Sequence, residues 1–358
     1  MRAITVAAGT ITVIAVIGSA VALSSQVSGG SLTSAGKPAE AAAIGGAQDQ
    51  AGASKEPGSP GSGGQGGHGH PHRSRTHVLH PREIGGRRLG SSRVVVGRNA
   101  PRLPRIPASA YVIANAKTGA VLAAKDAHGR YEPASTLKML TAITMLPRLR
   151  ANARITASKL AASAVPNKTG LIPGRRYKVA DLFRALLMIS ANDAAVSLAQ
   201  ASGSLAKGMA LVNAEAHRLQ AYDVVAKQPN GLSAPGQVVS AYALALIARA
   251  ALRMPAFMRY DRTRSAVFYD TRYGPVHMIN ENGLLTQYRG GIGGKTGWTM
   301  TAGATYVGMA RRHGVTLIVS ILHAKPLTTI TSAEHLLDWG FAANGRVRQV
   351  GSLVPPLS

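Results

Sequence analysis

Cysteine is absent from this chain of 358 residues. The absence excludes a disulfide framework, thiolate chemistry and any cysteine metal site. Acidic residues are few: 15 Asp and Glu stand against 41 Lys and Arg, a formal charge of +26. Such a balance raises the question of nucleic acid. No nucleic-acid motif accompanies it, however, and the charge is spread along the chain. Internal repeats are lacking too. What is plentiful is apolar side chain, 46% of the residues, ample for a large core.

The first residues address the compartment. Arg2 precedes an uncharged run from Ala3 to Leu23, rich in Ala, Val and Ile. Ala20-Val21-Ala22 has the small-residue pattern of a signal-peptide cleavage site. The run is also close to the roughly 20 residues that span a bilayer. Residues 1–23 therefore read as a signal peptide or an uncleaved anchor, and both readings place the remainder outside the cytoplasm. Export demotes nucleic acid as a partner.

Residues 24–107 read as a linker. Ser28 to Gly69 is Gly, Ser, Ala, Pro and Gln, too poor in apolar surface to offset its chain entropy. Next comes a basic part, from Arg73 and Arg75 through Arg82, Arg87, Arg88, Arg93, Arg98, Arg102 and Arg105, opposed by Glu83 alone. A tether of this kind can lie along an anionic surface, of wall polymers or lipid head groups. His68, His70 and His72 alternate, and a solvated low-complexity cluster is the favoured reading over a metal site. Val94-Val95-Val96 reads either as a short strand or as a mere interruption.

Residues 108–358 read as one α+β domain. Tyr111-Val112-Ile113 and Val121-Leu122-Ala123 flank Asn115-Ala116-Lys117-Thr118-Gly119, a hairpin signal. Helical spacing recurs over Val179 to Ile189, Leu205 to Leu219 and Val238 to Leu252, with Asp193 placed as an N-cap or first-turn acid. Ala304 to Ala310 and Val315 to Leu322 form a second hairpin, and a helix over about Ser332 to Ala342 closes the domain. The simplest architecture pairs the two terminal hairpins in one antiparallel sheet flanked by helices.

Three segments carry chemistry. In Pro133-Ala134-Ser135-Thr136-Leu137-Lys138, helical geometry brings Ser135 and Lys138 to one face. A serine hydroxyl needs a neighbouring base to attack, and a lysine serves only if its pKa is lowered. Ser190-Ala191-Asn192 lies in a break between two helices, where side chains can face a cleft. Glycines in Gly290-Gly291-Ile292-Gly293-Gly294-Lys295-Thr296-Gly297-Trp298-Thr299 let a substrate backbone approach, while a lysine and two hydroxyls can grip a carboxylate. Each has a plain alternative, such as a helix cap or an exposed strand end. Together they form the serine–lysine set of penicillin-binding proteins and β-lactamases.

From about Tyr111 to Val354 the chain closely resembles the low-molecular-weight penicillin-binding proteins that are D-alanyl-D-alanine carboxypeptidases, serine peptidase family S11. The flanks that carry the resemblance include Pro229-Asn230-Gly231-Leu232, Asn280-Glu281-Asn282-Gly283-Leu284-Leu285 and Leu336-Leu337-Asp338-Trp339-Gly340-Phe341. It implies a DD-peptidase/β-lactamase-like α/β sandwich, without metal or cofactor, acting on peptidoglycan stem peptides and acylated by β-lactams. It implies Ser135 as nucleophile, Lys138 as its base, Ser190 as proton relay, and Asn192 positioning Lys138 and the substrate amide. Lys295 with Thr296 and Thr299 would hold the terminal carboxylate beside Gly297. The oxyanion would sit on the N–H of Ser135 and one from the Lys295–Thr299 strand. Two departures stand out. Glu281 replaces an arginine that some relatives carry, and little sequence follows Phe341, so the N-terminal end is the expected tether.

Rivals are weaker. A β-lactamase needs a second base, usually in an E-x-x-L-N pattern. Between Asn192 and Lys295 stand only Glu215 and Glu281, and Glu215-Ala216-His217-Arg218-Leu219-Gln220 does not fit. A non-catalytic wall-binding or penicillin-sensing protein would not need the intact set. A DD-endopeptidase uses the same site and stays as the alternative.

Overall fold

The computed structural model describes residues 84–358. The signal or anchor segment, the linker before residue 84 and the His68, His70 and His72 cluster lie outside the described residues.

Eleven strands and nine α-helices follow one another among the described residues. The first hairpin is β2 (Ala108–Asn115) and β3 (Ala120–Lys125), preceded by β1 (Val94–Val96). Helix α1 (Lys138–Met145), strand β4 (Arg154–Thr156), helix α2 (Lys159–Ala162) and strand β5 (Arg176–Lys178) come next. The helical middle is α3 (Val179–Met188), α4 (Asn192–Gln200), α5 (Leu205–Arg218), α6 (Ala241–Leu252) and α7 (Pro255–Asp261). A small hairpin of β6 (Ser265–Phe268) and β7 (Val276–Ile279) leads to α8 (Leu284–Gln287). The chain ends with β8 (Gly291–Thr299), β9 (Gly303–Arg312), β10 (Val315–Ala324), α9 (Thr329–Ala343) and β11 (Gly351–Ser352).

Both hairpins turn for local reasons. At the first, the Asn115 carboxamide oxygen accepts the N–H groups of Lys117 (2.9 Å) and Thr118 (3.1 Å), an Asx turn. At the second, His313 and Gly314 both take positive φ, 47° and 76°, which matches the twist of paired antiparallel strands. The sheet order is β1-β3-β2-β10-β9-β8, with β11 added beside β3. The terminal hairpins thus meet through the antiparallel β2–β10 pair, in register Ile113↔Val319, as the sequence led one to expect. Alternation along β2 sends Val112 and Ala114 to a core shared with α1, α3, α4 and α6, and Tyr111 and Ile113 to one beneath α9. Apolar cover on both faces explains why these strands read as continuous hydrophobic runs.

The boundary expected at residue 108 moves. Val94–Val96 pairs antiparallel with β3, Val95 opposite Ala124. A 3-10 turn at Arg87–Gly90 buries Leu89 completely, and Ile106 is buried as well. His128 reaches the Ile84 carbonyl (3.0 Å) and the Asp223 carboxylate (2.7 Å), while the Trp339 indole donates to the Pro101 carbonyl (3.0 Å). The arginine-rich stretch is a folded edge of the domain from residue 84. Its anchors are few and widely spaced, so composition concealed them.

Leu89→Ala in the full chain should therefore cost about 2–5 kcal/mol, the usual range for a buried leucine truncation. Chemical denaturation measures this, and an unchanged midpoint would show that the segment does not pack.

Candidate active site

The site forms where the middle helices meet β8 at the sheet edge. A 3-10 turn at Ala134–Leu137 runs directly into α1, so Ser135 sits one turn before Lys138 at the helix mouth. Ala134 just before it takes φ 46°, a conformation disfavoured for a side-chain-bearing residue. The turn is tied to β9: the hydroxyls of Thr136 (2.6 Å) and Thr305 (2.9 Å) both donate to the Pro133 carbonyl.

Lys138 is fully buried. Its Nζ lies 2.8 Å from Ser135 Oγ, 2.7 Å from Asn192 Oδ1 and 2.7 Å from the Asn230 carbonyl. Burial holds its pKa well below the ordinary lysine value, helped by the Lys295 charge, while Glu281 and Asp193 pull the other way. A neutral amine has two N–H donors and one lone pair. Two of the three neighbours are pure acceptors and take the two donors. The lone pair is then left for the Ser135 hydroxyl, the geometry of a general base.

Asn192 opens α4, and its amide is fixed at both ends. Nδ2 donates to the carbonyls of Val165 (2.9 Å) and Pro166 (3.2 Å). Both amide protons are thereby committed, and Oδ1 is the end that meets Lys138. Ser190 takes φ 60°, and its buried Oγ has no hydrogen-bond partner among the described residues. Buried polar atoms without partners are uncommon and ask for an explanation. Asp193, expected at a helix start, mainly clamps a loop: it accepts from the N–H groups of Thr169, Gly170 and Leu171 and from the Thr169 hydroxyl.

Strand β8 is the sheet's last strand and closes the other side. A Cβ at Gly297 would lie 2.8 Å from the Ser135 nitrogen and 3.0 Å from that of Thr136, so only glycine lets the strand come this near. Lys295 is buried, and among the described residues its ammonium donates to the Thr296 carbonyl alone (2.9 Å). Burial lowers its pKa, while Glu281 and Asp261 raise it. A buried cation with unspent donors is a receptor for an anion.

A family model described as D-alanyl-D-alanine carboxypeptidase, Peptidase_S11, matches residues 97–326. The chain belongs to peptidase family S11. It is 37% identical over 257 residues to the D-alanyl-D-alanine carboxypeptidase DacB2 of Mycobacterium tuberculosis, covering 70% of this chain and 88% of that one. The carboxypeptidase DacC of Escherichia coli is 30% identical, and the match spans 62% of its length. Among solved structures, a D-alanyl-D-alanine carboxypeptidase from M. tuberculosis superposes with a TM-score of 0.69 at 36% identity, covering 72% of this chain and 99% of that one. A Streptomyces DD-transpeptidase superposes at 0.64, with 27% identity, covering 68% of this chain and all of its own.

Within this S11 chain the structure brings together Ser135, Lys138 and Asn192, and sets Gly297 against the Ser135 backbone. It does not bring the Thr296 or Thr299 hydroxyl to Lys295. Alternation puts Thr296 on the opposite face of β8 from Lys295. The Thr299 hydroxyl accepts the Ala302 N–H (3.0 Å) in the β8–β9 turn. Sequence reasoning counted Pro229-Asn230-Gly231-Leu232 among the flanks that carry the resemblance and missed its role, because the atom that meets Lys138 is a backbone carbonyl. Gly231 makes room for the turn: a Cβ there would come 1.9 Å from the Ala134 carbonyl oxygen. Asp261, buried behind β8, left no signal. Neither glutamate considered as a second base is uncommitted. Glu215 forms a bidentate pair with Arg218 (2.9 and 2.7 Å), and Glu281 accepts from Asn167 Nδ2 (2.8 Å).

The lowered Lys138 pKa has a stability signature. Between the depressed value and the lysine's ordinary 10.5, the unfolded chain binds a proton that the folded chain does not. Stability from this group therefore rises with pH across that window. Wild type should gain on a Lys138→Met variant as pH is raised from neutrality toward 10.5, read as the difference in melting temperature. A constant difference would place the folded lysine at its ordinary value.

Proposed function

We propose that Ser135 attacks the carbonyl of the penultimate D-Ala of a peptidoglycan stem peptide, giving an acyl-enzyme and releasing the terminal D-Ala. D-alanyl-D-alanine carboxypeptidase is the activity of family S11, and the serine acyl-enzyme is general to it. The observation that carries the residue assignment is the Lys138 amine, buried among Ser135, Asn192 and the Asn230 carbonyl.

The steps follow from the geometry. The Ser135 proton passes to the Lys138 lone pair as Oγ bonds to the carbonyl carbon. Negative charge on the carbonyl oxygen is met by the backbone N–H of Ser135 and one from β8, the kind of pre-aimed donor pair that stabilises acyl transfer. As the C–N bond breaks, the proton returns from Lys138 to the leaving amine, with the unpartnered Ser190 hydroxyl as relay. Water then takes the place of the amine and bonds to the acyl carbon as its proton passes to Lys138; the C–Oγ bond breaks, Lys138 returns the proton to Ser135 Oγ, and the acid leaves. Lys295 holds the substrate carboxylate, a charge-assisted contact worth about 1.5–3 kcal/mol. The pleat and the Thr299–Ala302 bond argue that Thr296 and Thr299 shape the strand end around that contact.

Penicillin distinguishes this peptidase from a β-lactamase. Its ring-opened amine stays attached and blocks water, and both candidate glutamates are engaged elsewhere. Labelled penicillin should mark the wild type as an adduct lasting minutes or longer, mapping to the peptide that contains Ser135. The Ser135→Ala variant should stay unlabelled. Rapid multiple turnover would overturn the peptidase assignment, and labelling of the variant would overturn the nucleophile.

Family members work on peptidoglycan outside the cytoplasm. For this chain, export rests on the Ala3 to Leu23 run; among the described residues no single helix is long and apolar enough to cross a membrane. The basic edge supports a partner besides the substrate. Arg87, Arg88, Arg93 and Arg98 are exposed around β1, and no acidic residue occurs between Glu83 and Asp126. Gly97 rests on the Arg348 backbone, adding Arg346 and Arg348 to that edge. Strands β1 and β8 lie at opposite ends of the sheet order, so an anionic wall polymer or lipid surface held at β1 leaves β8 clear. Each basic residue near an anionic surface is worth about 1 kcal/mol, so replacing Arg87, Arg88, Arg93 and Arg98 by Gln should weaken polyanion binding at least about 100-fold at low salt. Phosphodiester polymer and anionic vesicles assayed side by side separate the two sources. Unchanged binding to both would remove the edge from the interaction.

A further inference from the structure

The glycines before Lys295 are not uniform spacers. Strand β8 shifts register against β9 between Gly291 and Gly293, a bulge directly ahead of Lys295. At this point Asp261, the last residue of α7, meets the strand fully buried. Its Oδ2 accepts the N–H of Gly294 (2.8 Å), while its Oδ1 has no partner among the described residues. A Cβ at Gly293 would come 2.2 Å from that same Oδ2, and one at Gly294 would come 2.2 Å from the Val307 carbonyl oxygen. Gly294 adopts φ 144°, a conformation that side-chain-bearing residues rarely take. Gly293 opens the space into which the carboxylate fits, and Gly294 lets β8 lie close against β9.

A strand repeats its facing every second residue, so a slip of one position carries every following side chain to the other face. Side-chain packing normally prevents such a slip, but Gly293 and Gly294 have no side chain to pack. A hydrogen bond from outside the strand must hold the register instead. Building on the assignment of Lys295 to the substrate carboxylate, we propose that Asp261 is a positioning residue: by holding Gly294 it fixes the register in which β8 presents Lys295 to the site. Asn280 anchors the other end, since its Nδ2 donates to the backbone carbonyls of Asp261 (2.9 Å) and Thr263 (2.9 Å). The clasp therefore joins the end of α7, the Asn280-Glu281-Asn282 loop and the bulge of β8.

A purely structural tie would affect all substrates alike, whereas register at Lys295 matters only to a substrate that offers a carboxylate. Full-length wild type, Asp261→Ala and Asp261→Asn are compared on an acyl-D-Ala-D-Ala peptide and on its C-terminal amide, with melting temperature as the check on folding. Wild type should prefer the free acid. Asp261→Ala should lose about tenfold or more in kcat/KM on the acid, chiefly through KM, and no more than about threefold on the amide. Asp261→Asn keeps an acceptor oxygen for Gly294 and should restore the acid reaction to within about threefold of wild type. If Asp261→Ala does not fold, Gly293→Ala crowds the same oxygen and should show the same acid-specific loss. Equal losses on both substrates, no loss on either, or an Asn variant as poor as the Ala variant would overturn the inference. A wild type indifferent to the carboxylate would remove the role of Lys295 itself, and this inference with it.

Discussion

The burial of one amine constrains more of this molecule than any other contact. Lys138 has no water to solvate it, and its three neighbours come from segments 54 and 92 residues downstream as well as from the preceding turn. Placing them together requires the 3-10 turn at Ser135, the break before α4 and the Pro229-Asn230-Gly231 turn to converge on one point. Desolvation then supplies the chemistry, because a buried lysine without a carboxylate partner releases its proton. The helices around α1 serve this end. They exclude water from the amine while leaving the Ser135 side open.

The sheet has a complementary task. An edge strand carries unpaired N–H and C=O groups, which proteins usually hide. Here β8 is an edge, and Gly297 brings its backbone against the nitrogens of Ser135 and Thr136. The free edge therefore faces the nucleophile, where an extended peptide substrate finds hydrogen-bonding partners along the strand. The opposite edge is short and capped by β1, whose flanking Arg93 and Arg98 repel a second sheet. One sheet thus keeps a reactive edge open and blunts the other.

Much of this was legible in the sequence, for identifiable reasons. Ser135 and Lys138 lie on adjacent positions of a helical lattice, so their meeting needs no tertiary information. The hairpins announce themselves through Asn115, Gly119 and Gly314, residues that tolerate the required turns. What escaped was whatever depends on a backbone atom or an isolated side chain. The Asn230 carbonyl has no residue-type signature. Leu89 and Ile106 are single apolar residues in a basic, glycine-rich stretch, with no periodicity to mark them. Asp261 follows Tyr260 at a helix end, where an acid looks like an ordinary solvated residue. The commitment of both Asn192 amide protons follows from carbonyls of the 165–166 loop, which no motif names.

The two lysines of the site pose the last problem, because burial acts on both in the same direction while the chemistry needs opposite outcomes. Lys138 must lose its proton and Lys295 must keep one. A neighbouring cation divides them. Glu281 and Asp193 raise the pKa of Lys138 as Glu281 and Asp261 raise that of Lys295, but Lys138 alone is also lowered by the charge of the other lysine. The result is a lysine held well below its ordinary value next to one lowered less. Asp261 reports the cost of that arrangement, since burial pushes its own pKa up to about 7 even with Lys295 and the Gly294 N–H drawing it down. In a chain with only 15 acidic residues, a fully buried carboxylate behind the carboxylate-binding strand is a large concession of stability. That concession holds the Gly294 N–H, and with it the strand that presents Lys295, so that one lysine acts as base while the other is set to hold an anion.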